Sequence, residues 1–145
     1  FSLVGKIADT YIGVPLTQYS YSTPASGRSP TRPSATCLID DLNAAIGTLR
    51  QGAAGPMKAF SGLAREALAP GALDVKTKEL LAIAIAIATR CDGCIGFHVK
   101  AAIKAGATRE ELLETCSMAI YMGAGPSMIY AAETLRAFDE LGGQG

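Results

Sequence analysis

Apolar residues recur at intervals of three and four along most of the chain, from residue 37 to residue 141. Side chains with this spacing lie on one face of an α-helix, so each such run predicts a helix with a buried face. The runs are separated by glycine and proline. They fall near residues 37–52, 56–68, 75–88, 94–104, 108–123 and 128–141. The pattern therefore predicts an all-α fold, a bundle of about six helices with short connections.

Polar residues that cap helices stand before three of these runs. Asp74 and Asp92 each precede a run closely enough to accept a hydrogen bond from a first-turn backbone N–H. Thr108 and Glu111 form a Thr-x-x-Glu capping box, in which each side chain satisfies a backbone N–H of the other residue. These three positions are predicted helix starts.

The run from Ile83 to Ala88 alternates isoleucine and alanine, as a strand with one small face would. The whole segment is apolar, so its periodicity cannot distinguish a strand from a helix. The segment from Val75 to Ala88 is longer than a typical strand, and half of its apolar run is alanine. We therefore predict a buried helix.

The first part of the chain differs in composition. Residues 1–16 are mildly apolar and make no defined element, and residues 17–36 are mostly Ser, Thr, Pro and Gly. Such a segment buries too little apolar surface to offset the entropy lost on ordering. We predict a poorly structured segment over residues 1–36, one helical domain over residues 37–141 and a short tail, residues 142–145.

The charge balance excludes some classes of partner. Thirteen basic and thirteen acidic residues give a net charge of zero, so the electrostatic footprint of a nucleic-acid or anionic-membrane protein is absent. The longest apolar run is about half the ~20 residues that span a bilayer. The first sixteen residues lack the features of a secretory signal. We expect a cytoplasmic protein without nucleic-acid or membrane partners.

The candidate chemistry lies at Cys91, Cys94 and His98, which is the only histidine of the chain. At these intervals Cys91 neighbours Cys94 on one helix face, and Cys94 neighbours His98. A thiol is nucleophilic only as the thiolate, which a helix N-terminus and a nearby imidazole both favour. In a reducing compartment a CxxC motif is more often catalytic or metal-binding than structural. The stretch therefore indicates redox chemistry.

Sequence spacing does not determine the roles of the residues around this motif. Glu79 lies twelve residues before Cys91, and physics alone accounts for it as a first-turn residue favoured by the helix dipole. Gly93 and Gly96 either leave room for a substrate beside the thiols or only loosen the start of the helix. Cys37 and Cys116 fall on apolar stripes, where cysteine packs as a small hydrophobe.

Glu79, Cys91-Asp92-Gly93-Cys94 and His98, at these intervals, resemble the signature of the alkylhydroperoxidase AhpD-like branch of the carboxymuconolactone decarboxylase family. The resemblance covers residues 53–141. Flanking segments also fit, namely residues 78–81, 105–108 and 121–126. It implies an all-helical fold assembled into a homo-oligomer, a trimer or a hexamer, that reduces hydroperoxides with a pair of thiols.

Carried over to this sequence, the resemblance makes Cys94 the peroxidatic thiol and Cys91 the resolving thiol, with Glu79 and His98 as a proton relay. It implies neither a cofactor nor a metal, and it requires an external dithiol or a disulfide reductase as a partner. One position departs from the pattern: well-studied hydroperoxidases of this type carry a second histidine between the cysteines, where this chain has Gly93.

Three other functions remain open at the sequence level. Cys91, Cys94 and His98 are suitable zinc ligands, although a structural site needs a fourth, which Cys116 or Glu79 would have to supply. The chain is also compatible with a family enzyme that acts on a different substrate, such as a decarboxylase. In the third alternative, the disulfide switches the packing of an interaction module without turning over a substrate.

Overall fold

The computed structural model describes residues 33–143, and this part of the chain consists of five α-helices and contains no strand. Most of the predicted N-terminal segment, residues 1–32, and the last two residues lie outside the described part. The helices are α1 (Ala35–Gly52), α2 (Ala54–Leu68), α3 (Val75–Thr89), α4 (Asp92–Lys104) and α5 (Arg109–Glu140). The predicted all-α class is confirmed for the described residues.

The helix count differs from the prediction because α5 covers both the fifth and the sixth predicted helices. The predicted break is present as a kink: Ala124 has non-helical dihedral angles, φ 51° and ψ −143°. Pro126 follows within the same helix. Proline has no N–H to donate and its ring crowds the preceding turn, so the helix is interrupted here. Helical geometry resumes directly after the kink, and no loop separates the two halves.

Two of the three predicted caps are present. Asp74 Oδ1 accepts a hydrogen bond from Thr77 N at 2.7 Å. Thr108 Oγ1 accepts from Glu111 N at 3.2 Å, and Glu111 Oε2 accepts from Thr108 N at 2.9 Å, which completes the capping box. The predicted cap at Asp92 is wrong. Cys91 caps α4 with its sulfur, and Asp92 is the first residue of the helix.

The alternating segment is helical, as the length argument predicts. Ile83 and Ile87 lie one turn apart in α3 and are fully buried, whereas Ile85 is 63% exposed. This helix packs against both α4 and α5. The largest fully buried apolar side chains of the core around it are Phe138, Ile83, Ile87, Leu112 and Val99. The core thus holds α3 and α4 together, which positions the residues of the candidate site.

Helix α2 has no buried residue, although its apolar positions repeat as in a core helix. Phe60 and Leu63 are 64% and 66% exposed. Among the residues that the structure describes, the apolar face of α2 is therefore at most partly covered.

Lys78 joins the end of α2 to the start of α3. Its Nζ donates to the carbonyl oxygens of Ala67 and Ala69, at 2.9 and 2.6 Å. A helix ends with carbonyl groups that lack partners and with a partial negative charge, so an ammonium group is favourable there. Lys78 therefore acts as a side-chain cap for the C-terminus of α2.

We expect Lys78→Met to lower the free energy of unfolding by about 1 kcal/mol, the size of a charge interaction at a helix end. The variant keeps the length of the aliphatic chain and loses only the donor. Urea unfolding followed by circular dichroism measures the change. Lys58→Met, at an exposed position of α2, is the control and should change stability much less; equal losses in the two variants would contradict the capping role.

None of the helices within residues 33–143 is long and apolar enough to cross a bilayer.

Candidate active site

A left-handed residue between α3 and α4 sets the position of the cysteines. Arg90 has φ 58° and ψ 45°, and its N–H bonds to Ile87 O at 3.2 Å. Cys91 N then bonds to Ala86 O at 3.0 Å, which ties the backbone of the cysteine to the last turn of α3. Helix α4 begins at the next residue. The turn is therefore as short as two residues, and it brings the start of α4 beside α3.

Cys91 and Cys94 are joined in a disulfide with a Cα–Cα distance of 5.2 Å. Cys91 is the N-cap residue of α4, and its sulfur accepts a hydrogen bond from Cys94 N at 3.3 Å. Both residues are partly buried. The spacing predicts that the two thiols are neighbours, and the structure places them within bonding distance. The motif can therefore exist as a dithiol, which gives up two electrons and two protons when it is oxidised to the disulfide.

Glu79 and His98 form a hydrogen-bonded pair, with 2.7 Å between Glu79 Oε2 and His98 Nδ1. The glutamate side chain is 6% exposed and the imidazole 33% exposed. A carboxylate that accepts from Nδ1–H fixes the tautomer and leaves Nε2 to exchange a proton. Sequence spacing gives Glu79 no place beside the thiols. The structure brings it to the histidine that lies one turn after Cys94.

Gly93 and Gly96 face α1. A Cβ at Gly93 would lie 2.7 Å from Leu42 Cδ1, and one at Gly96 would lie 3.1 Å from Ile39 Cγ1. The glycines therefore allow α1 to approach the first two turns of α4. Neither alternative considered from the sequence describes this role, because the position of α1 follows from tertiary packing.

The two other cysteines differ in their surroundings. Cys116 is buried in the core, as its apolar stripe predicts, and burial raises the pKa of its thiol to about 11. Cys37 is exposed, and its sulfur lies 3.8 Å from Asp41 Oδ2. The packing prediction is therefore wrong for Cys37: its position near the start of α1 turns it toward solvent.

After reduction of the disulfide, we expect iodoacetamide at pH 8 to alkylate Cys37 and to leave Cys116 unmodified in the folded protein. Only the thiolate reacts, and a thiol with a pKa of about 11 is almost fully protonated at that pH. Mass spectrometry of proteolytic peptides measures the modification. Unfolding in urea should make Cys116 reactive. Rapid labelling of Cys116 in the native protein would contradict its burial.

A cavity that sequence analysis does not indicate reaches Glu79 from outside the core. Its volume is about 700 Å³, and it is lined by Asp74, Val75, Lys76, Glu79, Ala101, Lys104 and Ala105. Ala101 lies one turn after His98 on α4. The small side chains on this part of the helix are the one feature of the sequence that could have indicated the cavity. Glu79 thus borders this cavity and also bonds to the imidazole.

Among the residues that the structure describes, no three His, Cys, Asp or Glu side chains are grouped so that they could hold a metal ion. In the disulfide form shown here, Cys91 and Cys94 have no thiolate to offer such an ion.

Comparisons with known proteins place this arrangement in a family. An uncharacterized protein of Cupriavidus necator is 39% identical over 103 residues, which cover 71% of this chain and 91% of that protein. An uncharacterized protein in the cox locus of Paracoccus denitrificans is 40% identical over 101 residues, which cover 70% of this chain and 91% of its own.

Solved structures agree with the fold. A carboxymuconolactone decarboxylase family protein from Legionella pneumophila is 50% identical with a TM-score of 0.73, covering 74% of this chain and 96% of its own. A protein of the same family from Thermotoga maritima, for which a part in the antioxidative response has been suggested, is 28% identical with a TM-score of 0.65. That match covers 72% of this chain and 89% of the Thermotoga protein. The sequence model of the carboxymuconolactone decarboxylase family matches residues 55–137, and the chain belongs to this family.

Proposed function

We propose that the protein is a thiol-dependent peroxidase of the alkylhydroperoxidase AhpD-like branch of this family. The observation that carries the proposal is the Cys91–Cys94 disulfide at the start of α4, one turn before a histidine that is bonded to a buried glutamate. A disulfide alone serves many roles. A disulfide beside a general base held by a carboxylate has the parts that a thiol needs to attack a peroxide.

In the oxidative half of the reaction, His98 takes the proton from the Cys94 thiol while Glu79 holds and stabilises the imidazolium. The thiolate attacks one peroxide oxygen and breaks the O–O bond, giving a sulfenic acid on Cys94 and an alkoxide. His98 returns the proton to the alkoxide, which leaves as the alcohol. The Cys91 thiol then attacks the sulfenic sulfur, so that the disulfide forms and water is released. An external dithiol or a disulfide reductase must restore the two thiols.

The relay proposed here contains a single histidine. Well-studied hydroperoxidases of the branch resembled carry a second histidine at the position of Gly93. In this chain that position faces Leu42, and a larger side chain would meet α1. Glu79 and His98 must therefore carry proton transfer by themselves. The suggested antioxidative role of the Thermotoga relative is consistent with this proposal.

Stopped-flow measurements on the reduced protein test the function directly. The protein should carry Cys37→Ser, so that the exposed thiol does not contribute. Peroxide and a panel of dithiols are added in turn, and the oxidised cysteines are mapped by mass spectrometry. We expect peroxide to be consumed with formation of the Cys91–Cys94 disulfide, and repeated turnover with at least one dithiol. A disulfide that dithiols reduce but that peroxide does not form again would favour a redox-responsive module instead. In a separate assay, release of carbon dioxide from an added lactone would identify a decarboxylase.

We also propose that the chain assembles into a homo-oligomer, a trimer or a hexamer. Large apolar side chains are exposed on four of the five helices, and α2 has no buried residue among those that the structure describes. The most exposed of them are Tyr121 at 78%, Met122 at 77%, Leu63 at 66%, Phe60 at 64% and Ile85 at 63%. Exposed apolar surface of this kind is typical of interfaces between subunits.

For Phe60→Asp we expect a smaller assembled mass in sedimentation or light scattering, because a charge would replace an apolar side chain in the contact. Arg65→Glu, also on α2 and exposed, is the control for a change of charge alone. A wild-type protein that stays monomeric at all concentrations would contradict the proposed assembly.

A further inference from the structure

The two sulfurs of the disulfide have different surroundings. Among the described residues, the partly buried side chains that pack against the hydrophobic core include Cys94 but not Cys91. The residues after Cys94 are also closed in, since Ile95 is 3% exposed and Gly96 is buried. Thr89 and Arg90, which precede Cys91, are exposed. Both cysteines are partly buried, so the difference lies in their surroundings, which are exposed before Cys91 and buried after Cys94.

Each sulfur also has its own means of leaving as a thiolate. Cys91 Sγ accepts the N–H of Cys94, and it stands at the helix N-terminus, where negative charge is favourable. Cys94 lies one turn before His98, whose ring is held by the hydrogen bond to Glu79 and can supply a proton. Both leaving groups are thus assisted, so access decides which sulfur an incoming thiolate attacks first.

We propose that the reducing dithiol enters at Cys91, while the peroxide is reduced at Cys94. This inference rests on the proposed function and adds the order of steps in its reductive half. One thiolate of the dithiol bonds to Cys91 Sγ, the bond between the two protein sulfurs breaks, and its electron pair leaves on Cys94 Sγ. Cys94 takes a proton from His98.

The second thiolate of the reductant then attacks the reductant sulfur that is bonded to Cys91. The reductant closes its own disulfide, and Cys91 leaves as a thiolate that accepts the N–H of Cys94 before it gains a proton from water. The dithiol loses two electrons and the protein disulfide gains two. Oxidant and reductant thereby approach different atoms, and a bulky reductant need not enter the side of the motif that packs against the core.

The test uses no peroxide, so its outcome does not depend on peroxidase activity. Oxidised Cys37→Ser protein is mixed with 2-mercaptoethanol, a monothiol that cannot close a ring, so that a mixed disulfide exists until the freed protein thiolate expels the monothiol. Acid stops the exchange by protonating thiolates, and pepsin digestion in acid with tandem mass spectrometry locates the adduct. We expect at least a tenfold excess of the adduct on Cys91 at the earliest times. Equal amounts, or an excess on Cys94, would overturn the proposal.

A second measurement tests whether His98 supplies the proton that Cys94 takes when the disulfide opens. His98→Gln retains a group that can donate to Glu79 but cannot deliver a proton in this way. We expect it to slow opening of the disulfide by the monothiol about tenfold, with the adduct still on Cys91. An unchanged rate of opening would refute the part assigned to His98.

Discussion

Cys94→Ser is expected to lower the rate of peroxide turnover by at least about 10³-fold, the order of loss seen when a catalytic nucleophile is removed. A serine hydroxyl stays protonated near neutral pH, whereas a few per cent of an ordinary thiol is already thiolate. The disulfide cannot form in this variant. Stopped-flow assays with peroxide and a dithiol measure the rate, and circular dichroism verifies that the helices are retained.

Cys91→Ser is the informative companion, because it separates the two thiols by stoichiometry. In the absence of a reductant, its Cys94 attacks one peroxide and remains as the sulfenic acid, so we expect about one equivalent of peroxide consumed per chain, without the disulfide that the unsubstituted protein forms. Cys94→Ser should consume none. The reverse pattern would exchange the roles of the thiols. Cys37→Ser, at the exposed third thiol, should keep full turnover.

Glu79→Gln and His98→Gln are each expected to slow the peroxide step by about 10²- to 10³-fold, within the range of positioned general acid–base groups. The two side chains act through one hydrogen bond of 2.7 Å, so their effects should not add. We expect the double variant to be no more than about threefold slower than either single variant, as in other groups that work as a unit. Effects that multiply would show that the residues act separately.

Glu66→Gln removes a carboxylate on the surface of α2 and provides the matched control, with an expected change of less than about twofold. The stability of each variant must be measured as well. A buried carboxylate that loses its partner costs stability, which is why glutamine, with its own donor, is preferred to alanine at position 98. Urea unfolding distinguishes a slower chemical step from a smaller folded fraction.

The helices could be predicted from the sequence because each depends on local features. Asp74 and the Thr108–Glu111 box cap their helices as predicted, and the length of the apolar run was enough to make α3 a helix. The kink at Ala124 is also marked by the proline after it. The predicted count of about six helices is not confirmed, because a proline shows where a helix is interrupted and not whether the chain turns away there.

The candidate site could be predicted only within one helix. Cys91, Cys94 and His98 share α4 or its cap, so spacing alone relates them. Glu79 belongs to α3, and its approach to His98 depends on the left-handed conformation of Arg90. A glycine at this position would have indicated a left-handed residue, whereas an arginine does not. The sequence also does not show which helices bury one another. The apolar stripe of α2 indicates a buried face, but nothing in its residues shows whether the cover comes from the same chain.

The two-residue connection between α3 and α4 has a consequence for how the site assembles. Glu79 and His98 are 19 residues apart in the chain, and the entropy lost on closing a loop grows only with the logarithm of its length. One helical hairpin therefore carries all four reactive side chains and needs little chain closure to bring them together. Changes in α1, which packs against the first turns of α4, can alter the surroundings of the motif, while the order of the reactive groups is fixed by one short segment of the chain.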